Sequence, residues 1–276
     1  MVKNLYIDSV DVRGVYGVWI VRGGYDELFS FPSTKSPDVN DWPEHNGLEV
    51  DSSIPVLEPW EVSVDFASSG VGANTSGFVQ MLASPGYRNF NLPSLGRTFM
   101  LRLYETVDYR KYSALDSFRL KFIIDQPVHT GTLSPLDPGV GITQSVWSLN
   151  GSRFDLYGIF VRSGRNSLLK PSSIKKQMTR KISTIDGQLY DADQVRFSDK
   201  SITLQCCMKA ADMGRLWACH ILFFDNWTQA RERTLSYKGA AYKCYYESCR
   251  NARLVCLSQK LCMITFDLNI RITDGQ

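Results

Sequence analysis

The chain has 276 residues, 43% of them hydrophobic and 21% charged, with a formal net charge of +3. Such a composition excludes a disordered or collagen-like chain, and the length suits one large domain or two ordinary ones. No stretch approaches the roughly 18 apolar residues of a membrane-crossing helix.

The opening MVKNLYIDSV has neither the basic start nor the apolar run of a signal peptide, so a chain kept in a reducing cytoplasm is expected. The charge is uneven. Residues 1–130 carry 11 Lys/Arg against 16 Asp/Glu, a net of −5, and the remainder carries 20 against 12, a net of +8.

Taken in chain order, Tyr16-Gly17-Val18-Trp19-Ile20 reads as an opening strand, followed by a long variable stretch and the turn Gly47-Leu48-Glu49-Val50-Asp51. Val62, Val64 and Phe66 alternate with polar residues, the pattern of a half-buried strand. A short helix is predicted over 77–83, closed by Ser84-Pro85-Gly86. Strands follow over 100–104 and through Phe118, Leu120, Phe122 and Ile124. The stretch 127–152 is rich in Pro, Gly, Ser and Thr and nearly free of charge, and reads as a connection.

The same order then recurs. Tyr157-Gly158-Ile159 matches Tyr16-Gly17-Val18 at an offset of 141, and Gly187 through Asp191 matches Gly47 through Asp51 at 140. Ile202, Leu204 and Cys206 match Val62, Val64 and Phe66, again at 140. Arg231 falls opposite Arg88 at 143, and Cys262, Ile264, Phe266 and Leu268 fall opposite the last strand at 144. Five matches in one order, with the strands keeping their phase, read as an internal repeat. In the second copy Leu216, Trp217, His220, Ile221, Phe224 and Trp227 form one apolar face of a helix over 212–227.

The expectation is a mainly β (α+β) chain of two tandem β-sandwich or split-barrel domains, each with one flanking helix. The divisions are an acidic module over 1–126, a linker over 127–151, and a basic, cysteine-containing module over 152–276.

Little in the sequence points to catalysis. The seven cysteines all lie in the second half, are odd in number and form no C-x-x-C pair, so they read as buried free thiols rather than a disulfide frame or zinc site. The three histidines, His45, His129 and His220, have no partner at metal-ligand spacing. Cys219 and His220 are helix neighbours whose side chains diverge. Gly70-Val71-Gly72 lacks the Gly-Lys-Ser/Thr of a phosphate loop. Asp8/Asp11, Asp26/Glu27 and Asp191/Asp193 read as turn and rim carboxylates, with acid/base work as the alternative. No catalytic, cofactor or metal site is expected. One basic run stands out: Lys170, Lys175, Lys176, Arg180 and Lys181, read as an inter-module contact or, alternatively, a DNA phosphate contact.

The order of features resembles a known module. A Tyr-Gly-Val/Ile strand, a long loop, a Gly-x-x-x-Asp turn and Glu61-Val62-Ser63-Val64-Asp65-Phe66 precede a helix closed by Pro85-Gly86-Tyr87-Arg88. With Asn40-Asp41-Trp42-Pro43-Glu44, this resembles the tail-tube module of phage and prophage tube, distal tail and baseplate hub proteins. The second copy departs from it, with Gln229-Ala230-Arg231 at the helix-to-strand turn.

The resemblance implies a non-enzymatic structural protein whose modules close into a six-module ring around a DNA channel. Three chains make such a ring, and six chains are the alternative. Its partners would be itself, neighbouring tail proteins and passing DNA, with no membrane. It would assemble in the bacterial host cytoplasm and then reside in the virion tail. Alternating modules of −5 and +8 would aid register. The runner-up from the residues is a tandem β-sandwich binding module, for example for carbohydrate, which would need an exposed aromatic platform.

Overall fold

The computed structural model describes residues 4–69, 72–112, 115–127, 137–177, 179–190 and 195–275. The first half contains β1 (Tyr6–Ile7), β2 (Val10–Asp11), α1 (Val12–Tyr16), β3 (Val18–Ile20), β4 (Val39–Asn40) and β5 (Glu49–Val50). It continues with β6 (Trp60–Ser69), α2 (Thr75–Ala83), β7 (Arg88–Leu92), β8 (Arg97–Lys111) and β9 (Leu115–Ile124). The second half contains β10 (Trp147–Leu149), β11 (Ser152–Arg153), β12 (Ile159–Ser163), α3 (Arg165–Leu169), β13 (Thr179–Arg180) and β14 (Leu189–Tyr190). After these come β15 (Lys200–Ala210), α4 (Met213–Thr228), β16 (Arg233–Tyr237), β17 (Ala240–Leu257) and β18 (Cys262–Ile272).

The protein is mainly β. Two seven-stranded sheets run in the orders β2-β1-β7-β8-β9-β6-β3 and β11-β10-β16-β17-β18-β15-β12, which are the same order met twice. Alternation places the core. Val62, Val64 and Phe66 are buried on β6 and pair across to Phe122, Leu120 and Phe118 on β9. Phe78 of α2 meets both Phe66 and Phe118 edge-on, which closes the first core.

The helices begin where side-chain caps allow. Asn74 accepts from the Gly77 amide at 2.9 Å and Asp212 from the Arg215 amide at 2.9 Å. α2 stops after nine residues because Ser84 turns extended before Pro85. α4 runs for sixteen and buries Leu216, Phe223, Phe224 and Trp227 on one face. Each half also holds a five-residue helix, α1 or α3, too short to show as a period in the sequence.

Strand pairing corrects two of the repeat offsets. β6 and β15 do correspond at 140. Phe66 pairs with Phe118 and Cys206 with Phe266, so the last strands correspond at 148, not 144. Phe90 stands where Leu235 does, each being the buried partner of the strand beside it, Ile7 of β1 and Leu149 of β10, so β7 and β16 correspond at 145, not 143. Both errors are even numbers, so they left every apolar residue on its correct face. The corrected register sets Arg231, at φ 82°, opposite Gly86, at φ 98°. The turn with the unusual sequence therefore keeps the left-handed backbone.

Residues 147–149, read as part of the connection, instead form β10, because Trp147 and Leu149 alternate inward beside Tyr237 and Leu235. Residues 128–136 of the connection lie outside the described residues.

Candidate functional site

The two units meet at a seam, where the first lays a long arm, residues 21–59, on the second. The arm leaves β3 beside β6: the Val21 amide donates to Asp65 O at 3.0 Å, and the Asp65 amide donates to Gly24 O at 2.9 Å. A Cβ on Gly24 would lie 2.5 Å from Asp65 O, so this approach needs glycine. A 3-10 turn over Asp26–Phe29 then divides the side chains. Leu28 is buried, while Phe29 crosses to the second unit.

Phe29 stacks on Trp217 at 4.7 Å and 4°, and Phe31 stacks on Phe224 at 4.4 Å and 3°. Tyr246 meets Phe31 edge-on at 5.8 Å. The backbone between these rings is satisfied by the second unit. His220 Nε2 lies 2.9 Å from Phe29 O, and since a carbonyl only accepts, this nitrogen carries the proton. The Tyr246 hydroxyl donates to Phe31 O and Pro32 O at 3.2 and 3.0 Å. The Thr34 amide donates to Glu247 O at 3.1 Å, and the Leu254 amide to Asp26 Oδ1 at 3.1 Å. Burial pushes the Tyr246 phenol well above its usual range, and burial also raises the Asp26 carboxyl. His220, adjacent to Cys219 in sequence, is thus a packed donor.

The tip of the arm is anchored as firmly. Gly47 adopts φ 70°, and a Cβ there would lie 1.7 Å from Thr273 O. The Gly47 amide donates to Phe197 O at 2.7 Å and the Leu48 amide to Thr273 O at 2.8 Å. The Lys175 ammonium donates to Asp41 Oδ1, to Trp42 O at 2.9 Å and to Gly47 O at 2.7 Å. Lys175 is buried, whereas Lys170, Lys176, Arg180 and Lys181 are exposed. The structure therefore separates one member of the basic run from the other four.

The first half's acidity is concentrated in this arm. Residues 21–59 carry 8 Asp/Glu against 2 Lys/Arg, and without them residues 1–130 are near neutral. This acidic arm lies on the second unit, whose sequence is net basic.

The carboxylates read as candidate acid/base pairs have other partners. Asp8 accepts from Arg88 at 3.3 Å and from the Asn89 amide at 2.9 Å, and Asp11 caps α1. Asp26 and Glu27 line a cleft of about 890 Å³ between the first sheet and the seam, together with Glu58, Glu61, Asp65 and Arg119. Within it Asp65 holds Arg119 through two hydrogen bonds of 2.5 and 2.9 Å. Glu27 accepts from the Ser63 amide at 2.7 Å, and Glu61 pairs with Lys121 at 2.5 Å.

Asp191, Asp193, His129, Gly70 and Val71 lie outside the described residues. Among the described residues no group of three His, Cys, Asp or Glu could hold a metal. Six cysteines are buried and Cys256 is half-buried. Burial pushes the Cys219 thiol up to about 11 and those of Cys206, Cys244 and Cys249 well up.

No protein-family model and no curated protein matches the chain. One solved structure that is similar is the SPP1 Dit (gp 19.1) protein, described as a paradigm of hub adsorption apparatus in Gram-positive infecting phages. It is 13% identical, with 98% of each chain covered and a TM-score of 0.33. A likeness that loose carries no argument about function.

Sequence reasoning missed the seam. Phe29-Ser30-Phe31 was visible as two large aromatics spaced to share one face of an extended segment, inside an otherwise polar loop.

Proposed function

We propose that the chain is a non-enzymatic structural component of a phage or prophage tail, of the distal tail, tube or hub type. In this reading it arose by duplication of one unit, with modules over 1–126 and 152–276, and closes with its own copies into a ring around a DNA-conducting channel. The observation that carries the reading is the seam: one unit's arm lies on a different face of the next, equivalent unit. A contact between unlike faces propagates, and it closes into a ring when its rotation allows. Three chains give six units, the favoured assembly; six chains are the alternative. Neighbouring tail proteins would bind the two ring faces. Assembly would occur in the bacterial host cytoplasm, before incorporation into the virion tail.

Lys170, Lys176, Arg180 and Lys181 are the cations left for an inter-chain junction or for DNA phosphates, because Lys175 already gives its protons to the first arm. Negative-stain micrographs of the purified chain test the reading. Rings with a central hole and six-fold-like class averages support it, and compact particles without a hole refute it.

A second reading, glycan binding, is favoured by one observation: Tyr104, Tyr109 and Tyr112, along β8 and its turn, are each about half exposed. Titration calorimetry against host cell-wall saccharides separates the two, since a ring component without this activity gives no heat.

A further inference from the structure

We infer that the start of the second arm, residues 164–177, docks on the open edge of β8 in another copy of this chain. The inference rests on the self-assembly reading above and names its junction.

The described residues of the second arm between 174 and 197 pair as residues 34–57 of the first do, at an offset of 140. Thr34 bridges Leu57 as Ile174 bridges Phe197. The Lys35 amide donates to Val56 O as the Lys175 amide donates to Arg196 O. The hairpins β4–β5 and β13–β14 pair at equivalent residues, and Gly47 and Gly187 both hold a positive φ.

What differs is the docking. Phe29 is fully buried in the seam, but its counterpart Leu169 is 53% exposed. Thr34 donates to the β17 backbone, but its counterpart Ile174 is 60% exposed. The second arm thus keeps the first arm's hairpin pairing, enters it through an α-helical turn over Arg165–Leu169 where the first has a 3-10 turn over Asp26–Phe29, and presents apolar side chains at the positions where the first arm makes its contact.

The receiving surface is repeated too. β17 pairs with β16 only over 240–244, and the first arm covers the edge beyond, so that Tyr246, Ser248 and Cys249 are buried. In the first unit β8 pairs with β7 only over 97–101. The counterparts of Ser248 and Cys249, set by pairing to Asn269 and Leu268 as against Lys121 and Leu120, are Glu105 and Thr106, and both are exposed. Among the described residues no strand pairs with this edge beyond Leu101, and Tyr104 and Val107 stand open beside it. A long open edge with exposed apolar residues is what a sheet protein leaves for a partner strand.

The sizes also match. Counted from the caps Asn74 and Asp212, Val79 stands where Trp217 does, and the smaller Leu169 stands where Phe29 does. Asn166 replaces Asp26 and keeps a side-chain oxygen for the strand amide. The occupant is a second copy, because this chain's own second arm already sits against the tip of its first through Lys175 and Asp41.

Transferring the Phe31–Cys249 bridge to the junction sets Pro171 opposite Thr106 of the next copy. The test is Pro171→Cys with Thr106→Cys in a Cys256→Ser background under mild oxidation. Cross-strand pairs have Cα separations within disulfide reach. Disulfide-linked dimers and trimers are expected on non-reducing gels from the double variant, and from neither single variant. A disulfide within one chain, or none, overturns the inference. Ile174→Asp is the second probe: association should weaken at least tenfold, with the thermal midpoint of the isolated chain unchanged. Equal association of the variant and the parent also overturns it. Cross-linked open chains without rings would keep this junction and refute the ring, whereas rings without the cross-link would do the reverse.

Discussion

Removing the ring of Phe31 tests whether the seam holds the molecule together. Phe31 is about nine-tenths buried, stacks on Phe224 and meets Tyr246 at its edge. Replacing a buried Phe by Ala costs about 3–5 kcal/mol, from lost transfer energy and the cavity left behind. At this chain length each kcal/mol lowers the midpoint by about 2 °C, so Phe31→Ala should melt roughly 6–10 °C below the parent. Calorimetry would also show whether the transition splits in two, the expected sign that the seam couples the units. Pairing the change with Phe224→Ala isolates the stack. The double variant should be less destabilised than the sum of the singles by about 0.5–1.5 kcal/mol. A midpoint shift under about 2 °C for Phe31→Ala, or strict additivity in the cycle, would refute the seam as described.

Five further outcomes follow from the geometry. Gly47→Ala should cost clearly more than Gly187→Ala by urea unfolding: both carry the left-handed strain of about 1–2 kcal/mol, but only Gly47 meets a carbonyl. Equal costs would mean that the arm tip is not docked. Lys175→Met should cost about 1.5–3 kcal/mol in the same assay, because two carbonyls lose a charged donor while the exposed Asp41 stays solvated; an unchanged urea midpoint would contradict it. In the folded chain a thiol reagent at neutral pH should label Cys256 alone, and all seven cysteines after denaturation. The buried thiols ionise above their ordinary value, near 11 for Cys219. The stability they contribute is therefore complete below about pH 8.5 and is lost as pH rises beyond it; flat stability from pH 8 to 10 would contradict this. Self-association should persist at high salt, because the charge-rich first arm is already docked within its own chain. Dissociation between low and high salt would show an ionic junction instead.

Much of the fold was legible because strands announce themselves by period. Val62/Val64/Phe66 and Phe118/Leu120/Phe122 face the core as their alternation requires, and the helix over 212–227 matches α4 within a residue. The repeat was legible in order but not in register. The turn between β7 and β8 is two residues longer than its counterpart, and the loss of an even number leaves the alternation untouched. The seam was not legible. Its residues sit in a segment whose composition reads as loop, and their burial comes from a partner about 190 residues away along the chain. Lys175 shows the same limit, since a lysine in a basic run gives no local sign that three oxygens enclose its ammonium.

The most direct test of self-assembly is the mass in solution, by light scattering over a range of concentration and salt. The expected result is a discrete particle of three times 31.3 kDa, or six times if two layers stack, persisting at high salt. A chain that stays monomeric at every concentration and salt would contradict the ring and its arm-to-edge junction together.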